Sequence, residues 1–191
     1  MLKRKIMMLR LLMMTGGYRK AAYLKKKNYF YHQGEHCFFT PYNYGTEPYL
    51  LSFGDNVYVA TGVRFVTHDV AAKMFHQMEQ KVSYTSRVGA IEIGNNVFIG
   101  AGATILYDVK VEDNVIIAAG TLVNKPLAGG AIYAGVPAKK IGNFDDYKKQ
   151  SKEYSKIVPW TDTESFRVRR EKQIEYSFLS KEKGVSDAPI L

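Results

Sequence analysis

An aliphatic residue returns at every sixth position between residues 93 and 123, and this period constrains the fold more than any other feature of the chain. The six positions are Ile93, Ile99, Ile105, Val111, Ile117 and Val123. An α-helix repeats its buried face every ~3.6 residues and a strand every ~2, so neither one long helix nor one long strand produces this spacing. Short strands joined by regular corners do produce it, which indicates a β-solenoid.

A second apolar or small series follows the first at a distance of four residues. It consists of Val97, Ala103, Val109, Val115, Thr121 and Leu127. If both series point inward, residues 18 apart stack, for example Ile93 on Val111. Three hexads then make one triangular coil with flat parallel sides. An ordinary β-sandwich would instead need alternation across roughly 8 to 12 residues between turns, and the sequence lacks it.

Turn residues occur in register with the period. Gly54-Asp55-Asn56, Gly94-Asn95-Asn96 and Glu112-Asp113-Asn114 each stand directly before a valine. Glycine and asparagine tolerate the positive φ that a tight corner requires, so these triplets are predicted corners of the coil.

The repeat extends backwards with one interruption. The segment FGDNVYVATGVRF (53–65) matches IGNNVFIGAGATI (93–105) at an offset of 40, which is one coil of 18 residues plus 22 extra. The extra residues, 71–92, are polar and lack the period, so they are predicted to be a loop that leaves the coil after residue 70. A weaker first coil, QGEHCFFTP (33–41), lies a further 20 residues back and makes Cys37 an interior packing residue rather than a nucleophile.

These observations divide the 191 residues into one domain with helical ends. Residues 1–28 have helical apolar spacing broken at Gly16-Gly17 and are predicted to cap the first coil. Residues 29–142 form the coil. Residues 143–191 read as two helices, the second beginning with a Thr or Asp cap and Glu164 in its first turn. Solenoids need such caps because an open coil exposes its core and its strand edges.

Composition constrains partners and compartment. With 27 Lys and Arg against 18 Asp and Glu, the net charge of +9 favours polyanionic partners. The single cysteine excludes an intrachain disulfide and fits a reducing compartment. The N-terminus imitates a signal peptide, but Arg10 interrupts its apolar run and no cleavage site follows, so a retained helix and a cytoplasmic location are expected. No apolar segment approaches the ~20 residues of a membrane span.

His68 is the candidate reactive residue. It stands at the edge of the predicted loop, at the position that Asp108 occupies in the regular coil. A neutral imidazole there could accept a proton from a hydroxyl or an amine. A surface histidine without a role is the alternative.

The hexads, the THD sequence before the loop and the segment AAGTLVNKPLAGGAIYAGVPAKKIG resemble the hexapeptide-repeat acyltransferases. Within that family the chain is most similar to the branch of galactoside, maltose, xenobiotic and polysaccharide O-acetyltransferases. The resemblance covers roughly residues 30–142. It implies a mainly β fold, namely a left-handed parallel β-helix with helical caps, and a homotrimer with active sites between subunits. It also implies acetyl-CoA as acetyl donor and no metal requirement.

The resemblance assigns roles to individual residues. It makes His68 the general base of a direct acetyl transfer without an acyl-enzyme. The matched coenzyme A positions are Ala101, Ala119, Asn124, Lys125 and Lys139. The two lysines would meet the nucleotide phosphates. Ala101 replaces a polar residue often found in the family, so a side-chain bond from that position is not expected.

The acceptor side is less defined. Glu47 could bind a sugar hydroxyl or could be an ordinary loop residue before Pro48, Asp69 could orient the base, and Phe98 takes the place of a tryptophan in a relative. Candidate aromatic walls are Tyr42, Tyr44, Tyr49 and Phe75.

The leading interpretation is an acetyl-CoA-dependent acetyltransferase that modifies a hydroxyl, less readily an amine, of a saccharide or surface-glycan precursor. A xenobiotic O-acetyltransferase of the streptogramin or chloramphenicol type is the runner-up. The γ-type carbonic anhydrases share the solenoid but place three zinc-binding histidines in an arrangement that His32, His36, His68 and His76 do not show. A non-catalytic scaffold that binds nucleic acid or acidic lipid through the basic ends is the remaining alternative. Nucleic acid is not expected as a partner, and association with a membrane surface is not the favoured interpretation.

Overall fold

The computed structural model describes residues 2–179, which fall into two compact units divided after Phe144. The helices are α1 (Leu2–Met13), α2 (Gly17–Lys26), α3 (Ala71–Met78), α4 (Phe144–Ile157) and α5 (Phe166–Ile174). The strands are β1 (His32–Gln33), β2 (Phe38–Phe39), β3 (Leu51–Phe53), β4 (Tyr58–Val59), β5 (Arg64–Val66), β6 (Ile91–Ile93), β7 (Val97–Ile99), β8 (Thr104–Leu106), β9 (Val109–Val111), β10 (Val115–Ile117), β11 (Leu122–Val123), β12 (Ala131–Ala134) and β13 (Lys139–Asn143).

Three sheets, visited in rotation by successive short strands, form the first unit. The first sheet has the order β1-β3-β6-β9, the second β2-β4-β7-β10-β12-β13, and the third β5-β8-β11. All neighbours are parallel except β12 and β13. Ile93 pairs with Val111 and Ile105 with Val123, so the predicted stacking of residues 18 apart is confirmed.

The interior of the coil is built from the two six-residue series. Every member of both series is buried. Thr121 is the polar exception, because its hydroxyl is fully buried and has no hydrogen-bond partner among the described residues. The regular spacing therefore produces one continuous apolar core along the axis of the coil.

Side-chain ladders hold the corners in register. Asn56, Asn96 and Asn114 have φ values of 57°, 55° and 59°, as the turn triplets predicted. Each of the first two donates its side-chain amide to the next asparagine, at 2.9 and 3.0 Å. Beside them the Asp113 carboxylate accepts the Asn95 backbone N–H at 2.7 Å.

Offsets of 20 and 40 residues connect the first, second and third coils. Phe38 pairs with Tyr58, and Tyr58 pairs with Phe98. Cys37 is buried, as its interior position predicted. The helices α1 and α2 contribute Leu11 and Leu24 to the core cluster, so they pack on the first coil.

The inserted segment contains a helix that the sequence did not predict. Helix α3 occupies its first eight residues, where a loop without regular structure was expected. The coil also resumes before residue 92, because Ile91 already pairs with Leu51 of β3. The reason is that Ile91 lies two residues before Ile93 on the same strand and points into the same core.

The second unit, from Asp145 onward, contains α5 and most of α4. The predicted Thr or Asp cap is wrong: α5 begins at Phe166, after Ser165. Glu164 precedes the helix, and its carboxylate accepts a hydrogen bond from Lys172 at 2.6 Å. A π-helical turn follows at Glu175–Leu179, and the predicted end of this helix, from residue 180, lies outside the described residues. Across residues 2–179, no helix combines the length and the apolar character needed to cross a membrane.

Candidate functional site

His68 stands where the chain leaves the third sheet. Its backbone forms an antiparallel bridge with Val88, where the inserted segment returns. On either side, the Gly89 N–H donates to the Thr67 carbonyl at 2.9 Å and the Asp69 N–H to the Arg87 carbonyl at 3.1 Å. The two ends of the insertion are therefore joined by backbone hydrogen bonds, and the partly exposed imidazole is held beside the rigid coil.

Glu47 supplies the partner of the imidazole. Its Oε2 atom lies 2.8 Å from Nδ1 of His68 and accepts the Thr67 hydroxyl at 2.6 Å. Thr67 is only 2% exposed, so this hydrogen bond is shielded from water. Desolvation, the largest influence, raises the pKa of Glu47, but hydrogen bonds from Thr67 and His68 together lower the pKa below its ordinary value.

The ionised carboxylate determines which imidazole nitrogen carries the proton. A carboxylate can only accept hydrogen bonds, so Nδ1 of His68 must be the donor in the neutral ring. The lone pair then lies on Nε2. A partly exposed imidazole with a fixed tautomer can take a proton from a bound hydroxyl.

The role of Glu47 as a partner of His68 was missed in the sequence, although a signal for it exists. Residues of the first and second coils stack at an offset of 20, which places Glu47 next to Thr67 and one residue from His68. Sequence reasoning assigned Glu47 to the acceptor and considered Asp69 for orienting the base. The structure brings Glu47 to the ring.

Asp69 points elsewhere. Its carboxylate accepts the Tyr107 hydroxyl at 2.9 Å and the Ala71 N–H at 3.2 Å. Neighbouring residues of an extended chain point to opposite sides, which is why Asp69 and His68 do not share a partner. Asp69 thus ties the beginning of α3 to the regular coil.

The predicted coenzyme A positions lie on another edge of the coil. Ala101 and Ala119 are exposed at the corner between the second and third sheets, and the Gly120 N–H donates to the Ala101 carbonyl at 2.8 Å. Gly102 and Gly120, with φ of 71° and 69°, complete this corner and have open space beside them. His68 lies instead at the corner where the third sheet ends.

The remaining coenzyme A positions follow the last regular strand. Asn124 and Lys125 are exposed just after β11, and Lys139 is exposed at the start of β13. The Ala138 N–H donates to the Leu122 carbonyl at 2.8 Å, so the chain before Lys139 runs beside β11.

The aromatic candidates separate into exposed and buried rings. Tyr42, Tyr49, Phe75 and Phe98 are exposed. Tyr44 is buried, and its hydroxyl donates to the Pro41 carbonyl at 3.3 Å. The prediction that Tyr44 lines an accessible wall is therefore wrong, because the widening first coil needs its ring as filling for the core.

The four histidines lie apart. His32 and His36 are exposed on the first coil, and His76 lies on α3, where its Nδ1 is 3.0 Å from the Val82 carbonyl. Among residues 2–179, no three side chains of His, Cys, Asp or Glu form a group that could hold a metal ion.

Known proteins share both the sequence pattern and the fold. The family described as bacterial transferase hexapeptide (six repeats) matches residues 90–125. Protein CapG of Staphylococcus aureus is 32% identical over 137 residues, which cover 70% of this chain and 78% of CapG. Galactoside O-acetyltransferase of Escherichia coli (strain K12) is 32% identical over 103 residues, 54% of this chain and 49% of that protein.

A solved structure agrees with the sequence matches. Galactoside acetyltransferase in complex with coenzyme A superposes with a TM-score of 0.55 at 22% identity, covering 86% of this chain and 88% of that one. At this identity the likeness concerns the fold. Together with the hexad register and the extent of the match to CapG, it shows that the chain belongs to the hexapeptide-repeat acyltransferase family.

Proposed function

We propose that the chain transfers an acetyl group from acetyl-CoA to a hydroxyl of a saccharide or surface-glycan precursor, with His68 as general base. As a member of its family the chain is an acyltransferase. The observation that carries the proposal is the 2.8 Å contact between Glu47 and Nδ1 of His68, because it leaves the Nε2 lone pair available at a partly exposed site.

Each residue of this site has a separate task in the proposed reaction. Nε2 of His68 takes the proton of the acceptor hydroxyl while the acceptor oxygen attacks. Glu47 fixes the tautomer of the ring and stabilises the imidazolium that forms. Thr67 holds the carboxylate in place through its buried hydroxyl. A positioned base of this kind typically contributes about 10² to 10⁴ in rate.

The donor fits the edge that carries Ala101 and Ala119. Small side chains at that corner leave room for a thin pantetheine arm, and the exposed Lys125 and Lys139 would meet its phosphates as point charges. Asn124 adds an amide beside them. The bound donor would supply the activated acetyl group.

The separation of these two edges supports a homotrimer. His68 and the donor positions lie at different corners of one coil, so a second copy would have to supply its donor edge to the His68 of its neighbour. We therefore include in the proposal a left-handed parallel β-helix that assembles as a trimer with active sites between subunits.

A saccharide acceptor is supported by the relative named galactoside O-acetyltransferase and by exposed rings near the ends of the coil. Phe98 points outward from β7, and Tyr42 and Tyr49 flank the segment that carries Glu47. Flat aromatic faces of this kind suit the apolar faces of sugar rings. Because Glu47 already binds Thr67 and His68, its assigned task is positioning rather than acceptor binding.

The test is an acceptor screen scored by the mass shift of acetylation, run with the parent, His68→Ala and His32→Ala. We expect a saccharide product from the parent and a loss of about 10² or more in turnover for His68→Ala, with coenzyme A binding retained by calorimetry. His32→Ala is the matched control, because His32 lies exposed on the first coil. Near-normal turnover of His68→Ala would reject the base, and turnover of streptogramin or chloramphenicol alone would assign the enzyme to xenobiotics.

A further inference from the structure

The whole net charge of the chain resides in its first 34 residues. They contain nine Lys and Arg and no Asp or Glu, whereas the rest of the chain contains 18 of each sign. This segment comprises α1, α2 and the start of the first coil. A concentration of one sign at one end of a molecule points to a polyanionic surface as its partner.

Helix α1 adds an apolar feature to this charge. Leu11 faces the core and is fully buried. Ile6, Leu9 and Met13, at helical spacing on another face, are 44%, 58% and 76% exposed. A helix that is held by one face and presents Ile, Leu and Met on another has an unpartnered apolar surface.

Basic side chains accompany that surface. Lys5 and Arg10 are exposed on α1, and the Arg10 guanidinium donates to the Tyr23 hydroxyl of α2 at 3.2 Å. On α2, Arg19 and Lys26 are exposed as well. The apolar face is thus surrounded by cations and, in this segment, by no carboxylate side chain.

These two features together select one partner. A nucleic acid would match the charge but would leave the apolar face in water, and a second copy of this segment would bring two strongly positive segments together. An anionic lipid bilayer satisfies both features, since its headgroups attract the cations and its interface takes the apolar side chains.

We propose that α1 docks the protein on anionic lipid surfaces, with Ile6, Leu9 and Met13 entering the headgroup region and Lys5 and Arg10 on the lipid phosphates. Charge alone could not favour this partner from the sequence. The exposure of the apolar face in the folded chain does. This docking is separate from the acetyl transfer and does not require it.

The experiment measures co-sedimentation of the full chain with vesicles of phosphatidylcholine alone and of phosphatidylcholine mixed with phosphatidylglycerol. We expect binding to the mixed vesicles, weakened by high salt, and little binding to phosphatidylcholine. The double variant Leu9→Ser, Met13→Ser should bind about tenfold more weakly or worse, and Lys5→Glu about fivefold more weakly or worse. Met78→Ser, which removes an exposed apolar side chain from α3, is the matched control and should bind like the parent.

Every outcome decides the proposal, provided that the variants keep the melting temperature of the parent. Equal binding of the double variant and the parent, or equal binding to both kinds of vesicle, would overturn it. A smaller oligomer in the double variant would show that a second copy covers the face. Tight retention on a DNA duplex that survives the serine substitutions, without vesicle binding, would assign the charge to nucleic acid.

Discussion

Asp108 and His68 occupy the same corner on neighbouring coils, yet the chain behaves differently after each. At Asp108 the backbone turns with φ of 59°, its N–H donates to the Ala90 carbonyl at 2.9 Å, and β9 begins at the next residue. After His68 the chain leaves the coil and returns only at Val88. The regular corner contributes stability, and the interrupted corner holds a reactive side chain at a fixed place on the same frame.

The largest expected effect tests whether the regular coil carries the stability. Ile117→Ala removes a fully buried side chain from between Ile99 and Tyr133, and should lower the free energy of unfolding by about 2 to 5 kcal/mol in urea titration. Met78→Ala on α3 removes a side chain that is 72% exposed, and should stay within about 0.5 kcal/mol of the parent. Similar losses in both variants would remove the contrast between coil and insertion.

A smaller effect concerns the chemistry of the interrupted corner. Glu47→Gln keeps the size of the side chain but no longer requires Nδ1 of His68 to be the donor, so turnover should fall by roughly 10- to 100-fold. The same variant has a consequence for acid stability. Because hydrogen bonding lowers the pKa of Glu47 in the folded state, its contribution is present at neutral pH and is lost as the pH falls through that lowered pKa.

Two measurements check this prediction. The first is kcat of Glu47→Gln beside that of Glu92→Gln, an exposed carboxylate of the first sheet that serves as the control. The second is the midpoint of urea unfolding as a function of pH, which should fall less steeply at acidic pH in Glu47→Gln than in the parent. An unchanged kcat together with an unchanged acid limb would contradict the pairing of Glu47 with His68.

A weaker effect is expected where the insertion is fastened to the coil. Tyr107→Phe removes the hydrogen bond to Asp69 and should lower the local opening free energy at the start of α3 by about 1 kcal/mol. Hydrogen exchange of the amides of residues 69 to 72 should therefore accelerate about fivefold, while those of β7 and β10 keep their rates. Uniform acceleration in both regions would mean that the insertion opens only with the whole coil.

The smallest effect lies inside the regular coil and has the opposite sign. Thr121→Val replaces a buried hydroxyl without a partner among the described residues by a methyl group, which should raise stability by up to about 1 kcal/mol. The melting temperature should rise by roughly 2 to 4 °C. Thr104→Val is the matched control, since the Thr104 hydroxyl accepts from Nε of Arg64 at 3.3 Å and its loss should not stabilise.

Sequence analysis reached far into the coil and less far into the site. The stacking of Ile93 on Val111 and the corner at Asn114 follow from local spacing, because each hexad repeats the same strand and turn. The burial of Tyr44 did not follow from spacing, since the first coil is irregular and its core is filled by large rings from several segments. The helical start of the insertion was missed for a similar reason: its residues belong to no repeat.

The amino-acid sequence by itself determined the three-sided coil, its corners and the position of His68 at an interrupted corner, because a period of six acts through neighbouring residues. Only the tertiary structure decided that Glu47 rather than Asp69 meets the imidazole, that Asp69 fastens α3 through Tyr107, and that α1 keeps an apolar face exposed. Those contacts join residues distant along the chain. Their geometry depends on how an irregular first coil and an insertion pack against the repeat, and no local pattern encodes it.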